Sequence, residues 1–175
     1  MSCEILVDNK GRERVRIDDT AFKYFGRDDS TNFAGDPDRR GNKFHSTERK
    51  GRIIIPDPEF AQMLKDRYGC NIKKSDEWED SDGNIHEEQY YVEIKAKYGP
   101  DDSRWPRIYI VNGDGKRTLL DPDTVGEIDR YRADNVRAVL RFYHDEQRGT
   151  TTLWVETMYV EPRFPQDPYE HLYHD

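Results

Sequence analysis

Residues 88–99, EQYYVEIKAKYG, contain the clearest secondary-structure signal in the sequence. Every second side chain from Tyr90 to Ala96 is apolar or aromatic. The side chains between them form a second face that is mostly charged: Tyr91, Glu93, Lys95 and Lys97. A period of two predicts a β-strand with one face in the core and the other in solvent.

Segments on both sides of this strand have the same character. RVRI (14–17) and AFKYFG (21–26) are predicted strands, and GRIIIP (51–56) is a short apolar run that ends at Pro56. RIYIV and RTLL flank the turn NGDGK (112–116), which predicts a hairpin. VRAVLRFYH and TTTLWVETMYV flank DEQRG (145–149), which predicts a second, longer hairpin.

Two short helices interrupt the strands. In DPEFAQMLKDRYG (57–69), Asp57 is the predicted N-cap, Pro58 the first helical residue and Gly69 the end. The apolar face of this helix consists of Phe60, Met63, Leu64 and Tyr68.

The second predicted helix, DPDTVGEIDRY (121–131), begins in the same way. Asp121 is its cap and Pro122 follows, with Val125 and Ile128 directed inward. Between the helices, KKSDEWEDSDGNIHEEQ (73–89) is interpreted as a long acidic loop.

These elements predict a mainly β protein. A five-stranded, oligonucleotide-binding (OB) barrel with two short connecting helices accommodates them, and a β-sandwich is the alternative. We expect one domain over residues 1–160. Residues 161–175 contain three prolines and no periodicity, so we expect a flexible acidic C-terminal tail there.

The charge of the chain is segregated. The net charge is −8, but residues 75–93 hold eight acids and no Lys or Arg, and residues 161–175 hold four acids and one Arg. Without these two segments, which sum to −11, the remainder is close to +3. Residues 39–52 alone hold six Lys or Arg and one Glu. The positive charge is therefore available for an anionic ligand on one part of the surface.

No motif in the chain predicts catalysis, a cofactor or a metal site. Phosphate-binding loops, dinucleotide fingerprints, nucleophile elbows and HExxH motifs are missing. The pair His171 and His174 and the acid pairs such as Asp101–Asp102 are interpreted as solvated groups. Two cysteines without a CxxC motif, and no apolar signal or membrane-spanning run, predict a soluble, cytoplasmic protein that contacts no membrane.

Two segments combine cations with aromatic residues, as single-strand binders do for phosphate contact and base stacking. The first is the glycine-punctuated segment 39–52. The second is KAKYGPDDSRWPRIYIV (95–111), where inward Ile108 and Ile110 would direct Arg107 and Tyr109 outward. The candidate DNA-binding residues are Arg39, Arg40, Lys43, Phe44, Arg49, Lys50, Arg52, Lys95, Lys97, Tyr98, Trp105, Arg107 and Tyr109.

The order of several motifs resembles phage single-stranded DNA-binding proteins. The motifs are NFAG, GNKF, an apolar strand, DPEFAQMLKDRYG and CNIK, then PRIYIV, GKRTLLDPDTVGEID, NVRAVLRFY, LWVETMYV and DPYEHLY. They extend from about Phe22 to the end. The chain departs from the pattern in its long acidic loop, residues 75–89, and in its last residues, His174 and Asp175.

The resemblance implies an OB-fold protein that coats single-stranded DNA without sequence preference during phage replication or recombination. It also implies that the acidic tail recruits replication or recombination proteins. The tail residues that would do so, or would shield the DNA site, are Asp167, Tyr169, Glu170, Tyr173 and Asp175. Two other functions stay open: a protein–protein adaptor or inhibitor that acts through the acidic loop and tail, and a carboxylate-dependent nuclease or hydrolase. The sequence leaves the oligomeric state undetermined.

Overall fold

The computed structural model describes residues 2–23, 31–35 and 48–162. Its strands are β1 (Cys3–Val7), β2 (Glu13–Thr20), β3 (Thr31–Asn32), β4 (Glu48–Ile55), β5 (Lys73–Ser75), β6 (Trp78–Glu79), β7 (Ile85–His86), β8 (Gln89–Lys97), β9 (Arg107–Val111), β10 (Arg117–Leu119), β11 (Ala133–Asp145) and β12 (Thr150–Pro162). Helix α1 spans Pro58–Tyr68, and two 3₁₀ helices span Asp102–Arg104 and Val125–Arg130.

Five of these strands form a closed barrel. Its order is β2-β11-β12-β8-β4, and all neighbours are antiparallel except β8 and β12, which are parallel. The chain just after β2 closes the barrel onto β4, because Lys23 N donates to Arg52 O at 2.8 Å and Ile54 N donates to Ala21 O at 3.0 Å.

The order of the barrel strands is that of a Greek key. The strands β2, β4 and β8 follow one another as an antiparallel series, and β11 returns to lie beside β2. A closed, five-stranded Greek-key barrel is the OB fold. The predicted fold class is thus confirmed. The smaller strands extend the barrel: β1 lies on β2, β3 on β4, β5 on β8, and the hairpin β9–β10 on β12.

The alternation in residues 88–99 predicts correctly which side chains of β8 face the core. Val92, Ile94 and Ala96 are buried, and Glu93 and Lys97 are exposed. The inner faces of the other barrel strands supply the rest of the core, including Val15, Ile17, Ile53, Leu140 and Leu153.

Helix α1 covers one end of the barrel with the ends that its sequence predicts. Asp57 accepts hydrogen bonds from Glu59 N and Phe60 N, and Gly69 ends the helix with φ 75°. The buried residues of the helix are Ala61 and Leu64. Thr151 attaches the last turn to β12, since its hydroxyl donates to Tyr68 O at 2.5 Å.

Two local predictions are corrected. The second helix begins at Val125, later than predicted, and is a 3₁₀ helix, because Asp121 uses its carboxylate to close a turn with Asp123 N and Thr124 N. Val125 and Ile128 are buried, as predicted. The predicted acidic loop contains the hairpin β6–β7, whose turn is stabilised by Asp80, the acceptor from Asp82 N and Asn84 N at 3.0 Å.

No helix in the described ranges is both long enough and apolar enough to cross a membrane.

Of the predicted strand AFKYFG, only residues 21–23 are described, and Phe22 forms a single bridge to Ile53 there. Of the predicted tail, residues 161–175, the first two belong to β12, and residues 163–175 lie outside the described residues.

Candidate nucleic-acid interface

One row of side chains crosses the outer surface of all five barrel strands. Lys50 on β4 is opposite Lys95 on β8, and Lys95 is beside Trp154 on β12. Trp154 is opposite Arg141 on β11, which in turn is opposite Arg14 on β2. Because paired residues on neighbouring strands project from the same face of a sheet, four cations and one indole form a continuous row. We call Lys50, Lys95, Trp154, Arg141 and Arg14 the basic row.

An aromatic cluster lies at the centre of this row. Trp154 stacks on Tyr143, with ring centroids 4.5 Å apart and an angle of 13° between planes. The ammonium group of Lys97 lies 5.3 Å from the centroid of the Trp154 ring. Tyr143 is 49% exposed. A flat aromatic surface bordered by cations can stack a base while the cations contact the adjacent phosphates.

A second cluster lies further along β12. Tyr159 stacks on Tyr109, with centroids 5.1 Å apart and planes at 12°. The guanidinium carbons of Arg117 and Arg137 lie 5.1 Å and 4.9 Å from the centroid of the Tyr159 ring. The chemistry of the first cluster therefore recurs on the same strand.

A β-bulge is the reason that both clusters share one surface. Trp154 and Tyr159 are five residues apart, and in a regular strand they would project from opposite faces. The pairing shifts between Val139↔Thr157 and Leu140↔Val155, which leaves Glu156 as the additional residue on β12. Burial follows this shift, since Val155 and Met158 are both in the core.

A groove separates the two clusters. It arises because β12 pairs with β8 at Leu153 and Trp154 but with β9 only from Thr157 onward. The connection between β8 and β9 forms the other wall, and the cavity volume is about 750 Å³. Its cations are Arg14, Lys97, Arg104, Arg107 and Arg141, its acids Asp101 and Glu156, and its indoles Trp105 and Trp154.

The cations of the groove differ in how far acids neutralise them. Arg14 donates to Glu156 and, at 3.0 Å, to Asp8, and its hydrogen bond to Glu156 is the main cause of the raised pKa of Arg14. Lys97, Arg107 and Arg141 form no ion pair with any residue in the described ranges. The positive charge available to an anion is therefore greatest on the β8, β9 and β11 sides of the groove.

The structure brings together several of the residues predicted to bind DNA. Lys50, Arg52, Lys95 and Lys97 lie on the outer face of β4 and β8, which is the ligand-binding face of OB folds. Their contact with DNA stays a prediction.

The predicted residues of the second segment surround the groove and its neighbouring cluster. Arg107 is exposed and lines the groove, and Tyr109 is half-buried against Tyr159. Trp105 is also half-buried. Its indole nitrogen donates to Gly99 O at 2.6 Å, and its ring meets Tyr98 edge-on. Trp105 therefore serves both as a wall of the groove and as part of the core.

Two predictions are wrong, because the side chains of Arg49 and Tyr98 are 1% and 4% exposed and cannot reach a ligand. Arg49 Nη1 donates to the carbonyl oxygens of Phe33, Ala34 and Pro122, at 2.8, 3.2 and 3.1 Å. Its guanidinium carbon lies 5.6 Å from the centroid of the Tyr98 ring. Burial lowers the pKa of Arg49 and raises that of Tyr98.

Arg49 has a structural role instead. It joins residues 31–35 to the segment before the second 3₁₀ helix. Asp129 strengthens the same junction by accepting from Phe33 N at 2.9 Å and Ala34 N at 2.8 Å. Asn32 pairs with Lys50 at the end of the basic row. Residues 31–35, which precede the predicted basic segment, and β4, which contains its last residues, are thus fixed beside that row.

The remaining candidates, Arg39, Arg40, Lys43 and Phe44, lie outside the described residues. So do the tail residues Asp167, Tyr169, Glu170, Tyr173 and Asp175.

The sequence analysis missed several residues of this surface. They are Arg14, Arg117, Arg137, Arg141, Tyr143, Trp154 and Tyr159. Part of the signal is present in VRAVLRFYH, where Arg137, Arg141 and Tyr143 share the outward parity of the strand. The described residues contain no cluster of three or more His, Cys, Asp or Glu that could hold a metal ion.

The fold and this surface define an OB barrel with a cationic and aromatic outer face. Solved structures similar to this chain include the single-stranded DNA-binding protein from bacteriophage Enc34, in a C-terminally truncated form, with 10% identity, a TM-score of 0.48, and coverage of 92% of this chain and 91% of that chain. The same protein in complex with single-stranded DNA has 10% identity, a TM-score of 0.43, and coverage of 92% of both chains.

The single-stranded DNA-binding protein gp2.5 of bacteriophage T7 is also similar, with 14% identity, a TM-score of 0.40, and coverage of 94% of this chain and 95% of that chain. No protein-family model matches this chain, and neither does any curated protein.

Proposed function

We propose that this protein binds single-stranded DNA without sequence preference across the outer face of its barrel. The observation that carries the proposal is the basic row with Trp154 at its centre, continued along β12 by the Tyr159 cluster. Cations contact phosphates whatever the sequence, and every base has a face that can stack on an aromatic ring. Neither contact reads base edges.

The same geometry favours single strands over duplexes. Stacking on Trp154 or Tyr159 requires a base that is free of its partner, and each stacked base contributes about 1–3 kcal/mol. A duplex keeps its bases paired and offers only phosphates to the row. Affinity for a duplex is then supplied by the cations alone.

The experiment is a titration of the full chain against a fluorescently labelled oligonucleotide, single-stranded or duplex, in buffer with EDTA. We expect micromolar or tighter binding to the single strand and weaker binding to the duplex. The logarithm of the association constant should fall with the logarithm of salt concentration by about 0.7 per phosphate neutralised. Equal affinity for the two DNA forms, or no response to salt, would contradict the proposal.

The protein acts by binding alone, since no catalytic motif supports a reaction. Denaturing gels of the same oligonucleotide, incubated with Mg²⁺, test this directly. We expect intact DNA. Degradation that a single Asp→Asn substitution abolishes would reveal a site for catalysis.

We assign the binding to DNA replication or recombination of the phage type, on the resemblance of the sequence motifs. The tail residues Asp167, Tyr169, Glu170, Tyr173 and Asp175 retain their proposed role in docking a partner or shielding the groove. Their support is composition: acids and aromatics alternate, and the two prolines that follow β12, Pro165 and Pro168, oppose helix and strand formation.

A further inference from the structure

The hairpin β6–β7 forms a small sheet apart from the barrel. Trp78 stacks on His86, with ring centroids 4.3 Å apart and planes at 12°. His86 Nε2 lies 2.9 Å from the Asp80 carboxylate, and Gly83 completes the turn with φ 82°. Cross-strand stacking and a closed turn give this hairpin a defined shape, although a two-stranded hairpin alone has little core.

This hairpin exposes its largest apolar side chains. Trp78 is 48% exposed and Ile85 is 64% exposed. They lie on opposite faces of the hairpin, because Trp78 pairs with His86 and Ile85 pairs with Glu79. The exposed indole of Trp78 offers a large contact area, and Trp is enriched at protein interfaces.

The charge of the hairpin restricts what can bind it. Residues 76–88 contain seven Asp or Glu and no Lys or Arg. Glu88 is paired with Lys74 at the base of the hairpin, at 3.0 Å. The other six acids each lie within three positions of Trp78 or Ile85 along the chain, so a partner must present cations together with a site for an aromatic or aliphatic side chain.

The groove on the barrel has those properties. It holds five cations and two acids in a cavity of about 750 Å³, with Trp105 and Trp154 in its walls. Lys97, Arg107 and Arg141 form no ion pair with a described residue there. An indole rimmed by carboxylates matches such a groove, through ring stacking and through contact between cations and the ring.

The positions of hairpin and groove favour contact between two molecules. The hairpin joins β8 at Gln89, whereas Lys97 is at the other end of that strand. Eight residues of strand separate these positions, which is about 26 Å. The hairpin is therefore far from Lys97 of its own chain, and an antiparallel arrangement of two copies would bring each hairpin to the groove of the other.

We propose that the β6–β7 hairpin of one copy docks into the groove of a second copy of this chain. The docked hairpin presents carboxylates and an aromatic ring where DNA would present phosphates and a base. DNA therefore displaces the hairpin, and the docked form is the DNA-free form. The competition with DNA rests on the proposed function, but the self-association does not.

Sedimentation velocity of the full chain at several protein concentrations tests the docking. We expect self-association at low salt and dissociation at high salt, where the charge attraction is screened. Trp78→Ala should weaken self-association by about tenfold or more, as expected for a buried indole at an interface. Glu79→Gln on the hairpin should also weaken self-association. Glu59→Gln, which removes an exposed acid from α1, is its matched control and should leave self-association unchanged.

A mixing experiment identifies the two surfaces. One variant carries Trp78→Ala with Glu79→Gln and so lacks the hairpin surface. The other carries Arg107→Gln with Arg141→Gln and lacks the groove surface. Each should sediment as a monomer alone, and an equimolar mixture should form a heterodimer, because one intact hairpin and one intact groove remain.

A wild-type chain that stays monomeric at every concentration and salt level overturns the proposal. So does wild-type self-association that both double variants retain. DNA titration of dilute wild-type protein separates this result from the proposed function. If the protein is monomeric and binds single strands, the docking is wrong and the proposed function stands. If the protein self-associates but does not bind DNA, the proposed function is wrong and the docking stands.

Discussion

Two pairs of cation and aromatic ring lie close together in this protein and have opposite environments. Arg49 lies over Tyr98 in the interior, with 5.6 Å from its guanidinium carbon to the ring centroid. Lys97 lies over Trp154 on the surface, with 5.3 Å from its ammonium nitrogen. Lys97 and Tyr98 are neighbours in sequence, yet they face opposite sides of the barrel wall. The same pairing of a cation with a ring therefore occurs in a structural junction and on the surface that we propose binds DNA.

Strand parity, more than residue type, therefore separates structural side chains from surface side chains. On β4, Arg49 shares the inward parity of Ile53 and Ile55, whereas Lys50 and Arg52 share the outward parity. The internal pair should control stability, and the external pair should control DNA affinity. Substitutions at neighbouring positions can separate the two effects.

The largest effect is expected at Arg49. Arg49→Ala removes a buried cation from three carbonyl oxygens and so removes the side-chain link from β4 to Phe33, Ala34 and Pro122. We expect the free energy of unfolding to fall by about 3 kcal/mol, measured by urea denaturation.

Lys50→Ala is the matched control, since Lys50 is the adjacent, exposed cation. Its free energy of unfolding should change by less than about 0.5 kcal/mol. Equal losses in the two variants would remove the distinction between the inner and outer faces of β4.

The next largest effect, on DNA affinity, is expected at Trp154, the ring of the external pair. Trp154→Ala removes the centre of the basic row and should weaken binding to single-stranded DNA by about 1–3 kcal/mol. Because stacking releases few counterions, the slope of log affinity against log salt should stay unchanged. Trp78→Ala, measured in dilute protein, removes an exposed indole outside the row and serves as the control. A loss of affinity in that control equal to that of Trp154→Ala would place the stacking surface elsewhere.

The surface cations should give a different signature. Lys97→Gln combined with Arg141→Gln removes two charges that form no ion pair with the described residues. We expect the salt slope to become shallower by about 1.4, which is two phosphates at 0.7 each. Urea denaturation should give a nearly unchanged free energy of unfolding. A slope equal to that of the wild type would mean that these cations do not contact phosphate.

The smallest effect is expected from the tail. Removal of residues 165–175 should tighten DNA binding at low salt if the tail shields the groove. The gain should vanish at high salt, because the competition between tail and DNA is electrostatic. Unchanged affinity at both salt levels would leave partner docking as the proposed role of the tail.

The fold could be predicted because its signals are local. The alternation in residues 88–99 places one face of β8 in the core, and Asp57, Pro58 and Gly69 mark the ends of α1. The hairpin β6–β7 was missed because acidic composition outweighed its turn signal, DGN. The sequence signal of Asp121 fits both a helix cap and a turn, because in each a carboxylate accepts hydrogen bonds from the backbone N–H groups that follow it.

The basic row could not be predicted, since it depends on which strands are neighbours. Arg14 and Trp154 are 140 positions apart, and only the barrel order and register bring them into one line. The bulge at Glu156 could not be predicted either, because a bulge is recognised only from the register between a strand and its partner. The misassignment of Arg49 and Tyr98 was avoidable, because each continues the inward parity of its strand.

Binding of single-stranded DNA across the outer face of the barrel can be tested by photo-crosslinking of the full chain to a single strand that carries halogenated pyrimidines. The crosslinked residues are then identified by mass spectrometry. We predict crosslinks to Trp154, Tyr143 or Tyr159 on the outer face of β11 and β12, reduced in Trp154→Ala. Crosslinks confined to α1 or to the β6–β7 hairpin, with none on β11 or β12, would contradict the account.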